Sequence, residues 1–157
     1  MIAFALVALA PSCNSLPTSN QQPGECGVGL VIWMRQVKTA QYQYFTVGDG
    51  IFAYGAGVTA LNLKTSWQTD LSVEQCQTLR GLTQRGGWLN ENPPVQVAAM
   101  DDSVADVAVG WDGGRQQFVC AGDDASLKAV TGFLLKIADI RFKRALDRLP
   151  EAGQQTK

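Results

Sequence analysis

Tyr42-Gln-Tyr-Phe-Thr-Val47, Gly48-Asp49-Gly50 and Ile51-Phe-Ala-Tyr54 together spell a β-hairpin, and a helix follows it at Asp70-Leu-Ser-Val-Glu-Gln-Cys-Gln-Thr-Leu-Arg-Gly-Leu-Thr-Gln-Arg85. The reading of this stretch decides the fold class. Aromatic and β-branched residues flank a turn whose Gly and Asp tolerate positive φ. In the helical segment, Ser72 is the expected N-cap, with Gln75 at the reciprocal position of a capping box and Leu71 placed to staple onto Cys76. Val73, Cys76, Leu79 and Leu82 recur at helical spacing and predict a buried stripe, and Gly86-Gly87 predicts a left-handed cap at the end. Trp88 is then expected to fold back on the core.

Working outward, Val28-Gly-Leu-Val-Ile-Trp-Met34 reads as a mostly buried first strand. Gly55-Ala56-Gly57 marks a bulge or a close backbone approach, with Val58 to Leu63 expected to extend the strand beyond it. The prolines at 93 and 94 place a loop over 90–94. Val95 to Met100 reads as a short strand and Val104 to Trp111 as a stronger one, which Asp112-Gly113-Gly114 turns into Arg115 to Cys120. Asp123 or Asp124 is expected to cap a long helix whose apolar face carries Leu127, Val130, Leu134, Ile137, Ala138, Phe142, Ala145 and Leu149, with Pro150 ending it. Strands grouped before each helix predict an α+β domain over 28–150. The expected architecture is a two-layer antiparallel sheet with two helices on one face, made of two strand-hairpin-helix units, with parallel βαβ winding as the alternative.

The N-terminus carries an address. Met1 to Ala10 is an apolar run of about ten residues, the length of a signal-peptide core and well short of the roughly 20 needed to span a bilayer. Pro11-Ser12-Cys13 follows, and then a polar stretch. Residues 1–12 are expected to be a signal peptide, Cys13 the lipid-attachment residue, 13–27 the lipidated Cys with its tether, and 151–157 a disordered tail. Ala10 and Pro11 depart from the usual lipoprotein pattern, and no Lys or Arg stands near the start. Soluble export after Ala10 and a buried N-terminal strand are the alternatives.

Composition removes whole classes of chemistry. Across 157 residues there is no histidine, which excludes Ser-His-Asp and Cys-His nucleophilic sites and most zinc sites. A net charge of −1 carries no basic footprint for nucleic acid. With Cys13 acylated, Cys26, Cys76 and Cys120 are left for one bridge and one spare thiol, with all three pairings open. The acidic pairs Asp101-Asp102 and Asp123-Asp124 sit at a turn and a cap, where Asp serves the backbone, and neither is expected to hold a metal. Of the tryptophans, Trp33 and Trp88 are expected in the core and Trp67 is the one to examine for exposure. No catalytic or cofactor-binding residue, and no cofactor, is expected.

The span from Tyr44-Phe45 to Trp88 resembles uncharacterised bacterial envelope proteins, often lipoproteins, through its Gly-Asp-Gly hairpin, Gly-Ala-Gly return strand, Thr65-Ser-Trp67 and the helix from Asp70. It is also similar to emfourin-type inhibitors of thermolysin-like metalloproteases, in which a Gly-rich hairpin precedes a helix beginning Leu-Ser-x-Glu. The absence of site chemistry, together with the leader and Cys13, leads to the expectation of a non-catalytic interaction or scaffolding protein on the extracytoplasmic side of the cell envelope, anchored to the membrane by lipid, with an enzyme using carboxylates or a ligand-binding domain as a further alternative. The second resemblance implies a protease-inhibitor-like binder, with no inhibitory residue carried across.

Overall fold

Three tight turns and a six-stranded sheet organise the molecule. The computed structural model describes residues 26–90 and 102–146, with the helical backbone alone for 141–146. In chain order the elements are β1 (Val28–Gln36), β2 (Gln41–Gly48), β3 (Ile51–Ala56), α1 (Val58–Leu61), β4 (Trp67–Asp70), α2 (Val73–Arg85), β5 (Ser103–Trp111), β6 (Gly114–Ala121) and α3 (Ala125–Leu146). Every strand pairing is antiparallel and the order across the sheet is β4-β3-β2-β1-β5-β6. The α+β expectation therefore holds, and parallel winding is overturned.

Local chemistry explains the turns. Gly48 pairs with Ile51, so Asp49 and Gly50 alone close the β2–β3 hairpin, with φ of 50° and 75°. Two consecutive positive φ values are those of a type I′ turn, whose twist suits the flanking strands. The other end of β3 behaves differently from expectation. Gly57 adopts φ 60° and ψ −134°, and the chain turns into the short helix α1 instead of prolonging the strand through Val58 to Leu63. The expected close approach lies at Gly55, where a Cβ would fall 2.2 Å from the Lys64 carbonyl oxygen.

At α2 the capping box is complete: Ser72 Oγ accepts from the Gln75 amide at 3.2 Å, and Gln75 Oε1 accepts from the Ser72 amide at 2.8 Å. Its other end is a Schellman motif. Trp88 N–H donates to the Thr83 carbonyl at 2.9 Å and Gly87 N–H to Gln84 at 3.0 Å, with Gly87 at φ 73°. The expected stripe needs correcting. The buried positions are Cys76, Leu79 and Thr83, Leu82 is half-buried, and Val73 is 69% exposed. Each three-residue step on a helix drifts about 60° from full register, so the three steps from Val73 to Leu82 cannot stay on one face. At α3, Asp124 is the cap, its Oδ1 accepting from the Leu127 amide at 2.8 Å. Leu127, Val130, Leu134, Ile137 and Ala138 are buried as expected. The side chains of Phe142 and Ala145, together with Leu149, Pro150 and the strand expected over 95–100, lie outside the described residues.

One hydrophobic cluster joins alternate strand residues, among them Leu30, Ile32, Phe45, Val47, Phe52, Val107 and Phe118, to Cys76 and Leu79 of α2 and Leu127, Val130 and Leu134 of α3. Trp88 is 1% exposed within it, edge-on to Phe118 at 5.5 Å. The intervening strand residues Val31 and Tyr44 form a second, smaller cluster with Ala60 of α1, with Trp33, Tyr42, Leu63 and Ala108 packed against it.

Candidate functional site

Because side chains alternate along a strand, Trp33 and Arg35 of β1 point away from Ile32 and Met34. The register sets Trp33 opposite Tyr44 on one side and Asp106 on the other, and Arg35 opposite Tyr42. The guanidinium carbon of Arg35 stands 4.6 Å from the Trp33 ring centroid. Its Nη2 also donates to Asp106 Oδ2 at 2.5 Å, with both side chains about a quarter exposed (29% and 23%). The pair is thus held by stacking and charge together, in partial contact with solvent. Arg35 Nε and Trp33 Nε1 are buried and find no acceptor among the described residues. Burial also pushes the Tyr44 phenol above its ordinary value.

This arrangement is suited to binding. An aromatic surface carrying an arginine suits protein recognition, where Trp, Tyr and Arg supply most of the energy of contact. Among the described residues, no group of three or more His, Cys, Asp or Glu is placed to hold a metal ion. Asp123 is exposed, Asp124 is committed to its helix cap, and Asp102 forms an ion pair with Lys38. Asp101 and Cys13 lie outside the described residues.

Sequence reasoning expected Trp33 in the main core, and the structure sets it in the second cluster, half-buried beneath Arg35. In Val28-Gly-Leu-Val-Ile-Trp-Met34 nearly every position is apolar, so alternation gives no sign of which face the indole takes. Trp67 is half-buried in β4, edge-on to Phe52 at 5.6 Å. That strand was not foreseen, since its four residues are defined only by pairing with β3.

The cysteines resolve into one arrangement: Cys26 and Cys76 form a disulfide with Cα atoms 4.6 Å apart, and Cys120 is free and buried. Its thiol is pushed up to about 12, chiefly by burial and further by the charges of Asp124 and Asp106. It stays protonated at neutral pH, the opposite of an activated nucleophile. The β2–β3 turn, which an inhibitor would present as an exposed rigid loop, is only two residues deep, and the Leu71 amide donates to Gly50's carbonyl at 2.8 Å.

A second feature lies at the β1–β2 end of the sheet. A cleft of about 260 Å³ is lined by Met34, Gln36, Ala40, Gln41, Tyr42, Gln43, Ala56 and Gly57. Burial raises the Tyr54 phenol above its ordinary value, with Gln43 acting against this and the Asp139 charge adding to it. Comparison with protein-family models and with curated proteins finds no match for the chain. No helix among the described residues is long and apolar enough to cross a membrane.

Proposed function

We propose that this is a non-catalytic interaction or scaffolding protein of the cell envelope, anchored by lipid at Cys13 on the extracytoplasmic side, and that it recognises a protein partner through the Trp33–Arg35 face. The observation that carries the reading is the stacked and ion-paired Arg35 on Trp33, flanked by Tyr42 and Tyr44. Trp33, Arg35 and Tyr42, partly exposed over the buried Tyr44, make contact area without supplying a nucleophile, a base or a metal site. The Cys26–Cys76 disulfide supports an oxidising compartment, where such bridges persist. The apolar run before Cys13 and the polar stretch after it support the anchor.

The finer architecture belongs to the same reading: one layer of sheet and one of α2 with α3, in two strand-hairpin-helix units. The shared cluster of strand, α2 and α3 residues supports the layers. Between the first hairpin and α2, however, α1 and β4 intervene.

Two measurements test the proposal. Intact mass of the membrane-extracted protein is expected to lack residues 1–12 and to carry acyl chains, and a soluble protein beginning at Met1 would defeat the anchor. A photo-crosslinking amino acid at Tyr42 is expected to trap one envelope protein, with the adduct lost in Trp33→Ala. The same probe at exposed Asp123 should give no such adduct. Equal labelling from both positions would defeat the interface.

A further inference from the structure

On β1 and β2, the positions facing the main core run Leu30, Ile32 and Phe45, Val47, and then change character at Met34, Gln36, Gln41 and Gln43. Glutamine takes the places where the alternation calls for apolar residues, and the cleft of about 260 Å³ opens there. We propose that this cleft binds an uncharged sugar ring, either free or at the end of a glycan chain. This goes beyond the protein-binding reading of the Trp33–Arg35 face and does not depend on it.

The chemistry of the described lining argues for this ligand. It holds no carboxylate, ammonium or guanidinium, so a phosphate, an amino acid zwitterion or a nucleotide would lose hydration without gaining a counter-charge. Three primary amides stand there instead, and each offers both a donor and an acceptor. Sugar hydroxyls make the same double demand. Gln36 Oε1 accepts from Thr39 Oγ1 at 3.2 Å, which orients its NH2 as a donor. Met34, on the same sheet face as the glutamines, supplies apolar surface for the C–H face of a ring. The volume is below the roughly 300 Å³ at which sites for drug-sized ligands begin, which suits one ring rather than several.

Backbone geometry keeps the cleft in shape. Gly57 N–H donates to the Tyr42 carbonyl at 2.9 Å, closing β2 against the start of α1 just past the end of β3. The β1–β2 turn is fixed by Ala40 N–H donating to Val37 at 3.3 Å, and by the ion pair of Lys38 with Asp102. The site is thus built on strands and a closed turn, which favours a preorganised binding surface.

The test is a titration of the full chain with glucose, N-acetylglucosamine, N-acetylneuraminic acid and a blocked alanine dipeptide, read by amide NMR. Saturable shifts of the Gln36, Gln41 and Gln43 side-chain amides are expected with one of the neutral sugars and not with the acidic sugar or the dipeptide. The Gln36→Ala/Gln41→Ala variant should weaken that binding by about tenfold or more, as loss of one or two net hydrogen bonds requires. Gln41→Glu, at an exposed position that leaves the core untouched, should do the same. If only a longer oligosaccharide of the neutral sugar saturates, the glycan terminus is the source. No saturable shift with any sugar, shifts unchanged in both variants, or saturation by the dipeptide alone would overturn the proposal. Trp33→Ala should leave the sugar titration intact, which separates this result from the fate of the protein interface.

Discussion

Cys26, at the start of the described chain, is joined to Cys76 in the first turn of α2, across a sequence separation of 50 residues. The bridge pins the entrance of β1 to the helix that covers it. Closing a loop of that length removes denatured-state entropy worth about 4 kcal/mol in the chain-entropy account. Urea unfolding followed by Trp fluorescence is therefore expected to give the Cys26→Ala/Cys76→Ala variant a stability lower by roughly 2–4 kcal/mol. Reduction of the wild type should have a similar effect.

Gly55 has no room for a side chain. Its Cβ would sit 2.2 Å from the Lys64 carbonyl oxygen and 3.2 Å from the Thr65 Cα, both backbone atoms that cannot swing aside. Gly55→Ala is expected to cost roughly 1–3 kcal/mol through overpacking. It should also loosen the segment between α1 and β4, seen as faster amide exchange at Ser66, which donates to the Tyr54 carbonyl. Gly57, with open space at its Cβ but φ of 60°, tests a different cause: conformational strain without a clash.

What the sequence made legible is what short-range chemistry determines. The Ser72–Gln75 box, the Gly86-Gly87 ending, the Asp49-Gly50 turn and the Asp124 cap each depend on residues within a few positions of one another. The pairing of Cys26 with Cys76, the short strand β4 and the face taken by Trp33 depend on partners far along the chain. Val73 shows the limit within a helix, because an apolar residue in the first turn fitted the spacing yet lies on the solvent side of α2. The glutamine cleft went unread for a related reason: Gln36, Gln41 and Gln43 gather only once the β1–β2 register is known.

The two helix caps offer a matched comparison. Ser72→Ala removes the acceptor for the Gln75 amide, and Asp124→Ala the acceptor for the Leu127 amide. Each is expected to cost about 1 kcal/mol. Asp124 carries a charge at the positive end of a long helix dipole, so its contribution should decline in high salt while that of Ser72 does not. Denaturation at low and high ionic strength checks this, and equal salt response in both variants would contradict it.

Cys120 makes the last prediction a matter of pH. Burial is the main cause that pushes its thiol up to about 12, with the Asp124 and Asp106 charges adding to it, whereas an unfolded chain ionises the same thiol near 9. Between these values the folded state binds the proton and the unfolded state does not, so stability falls as pH rises through that window and is unaffected by this group below it. Cys120→Ala should flatten the alkaline limb of the stability profile above about pH 9. The same protonation makes the native thiol slow to react, because only the thiolate attacks. A disulfide reagent at pH 8 is expected to label Cys120 at the rate of unfolding, and rapid labelling of the native protein would contradict the buried position.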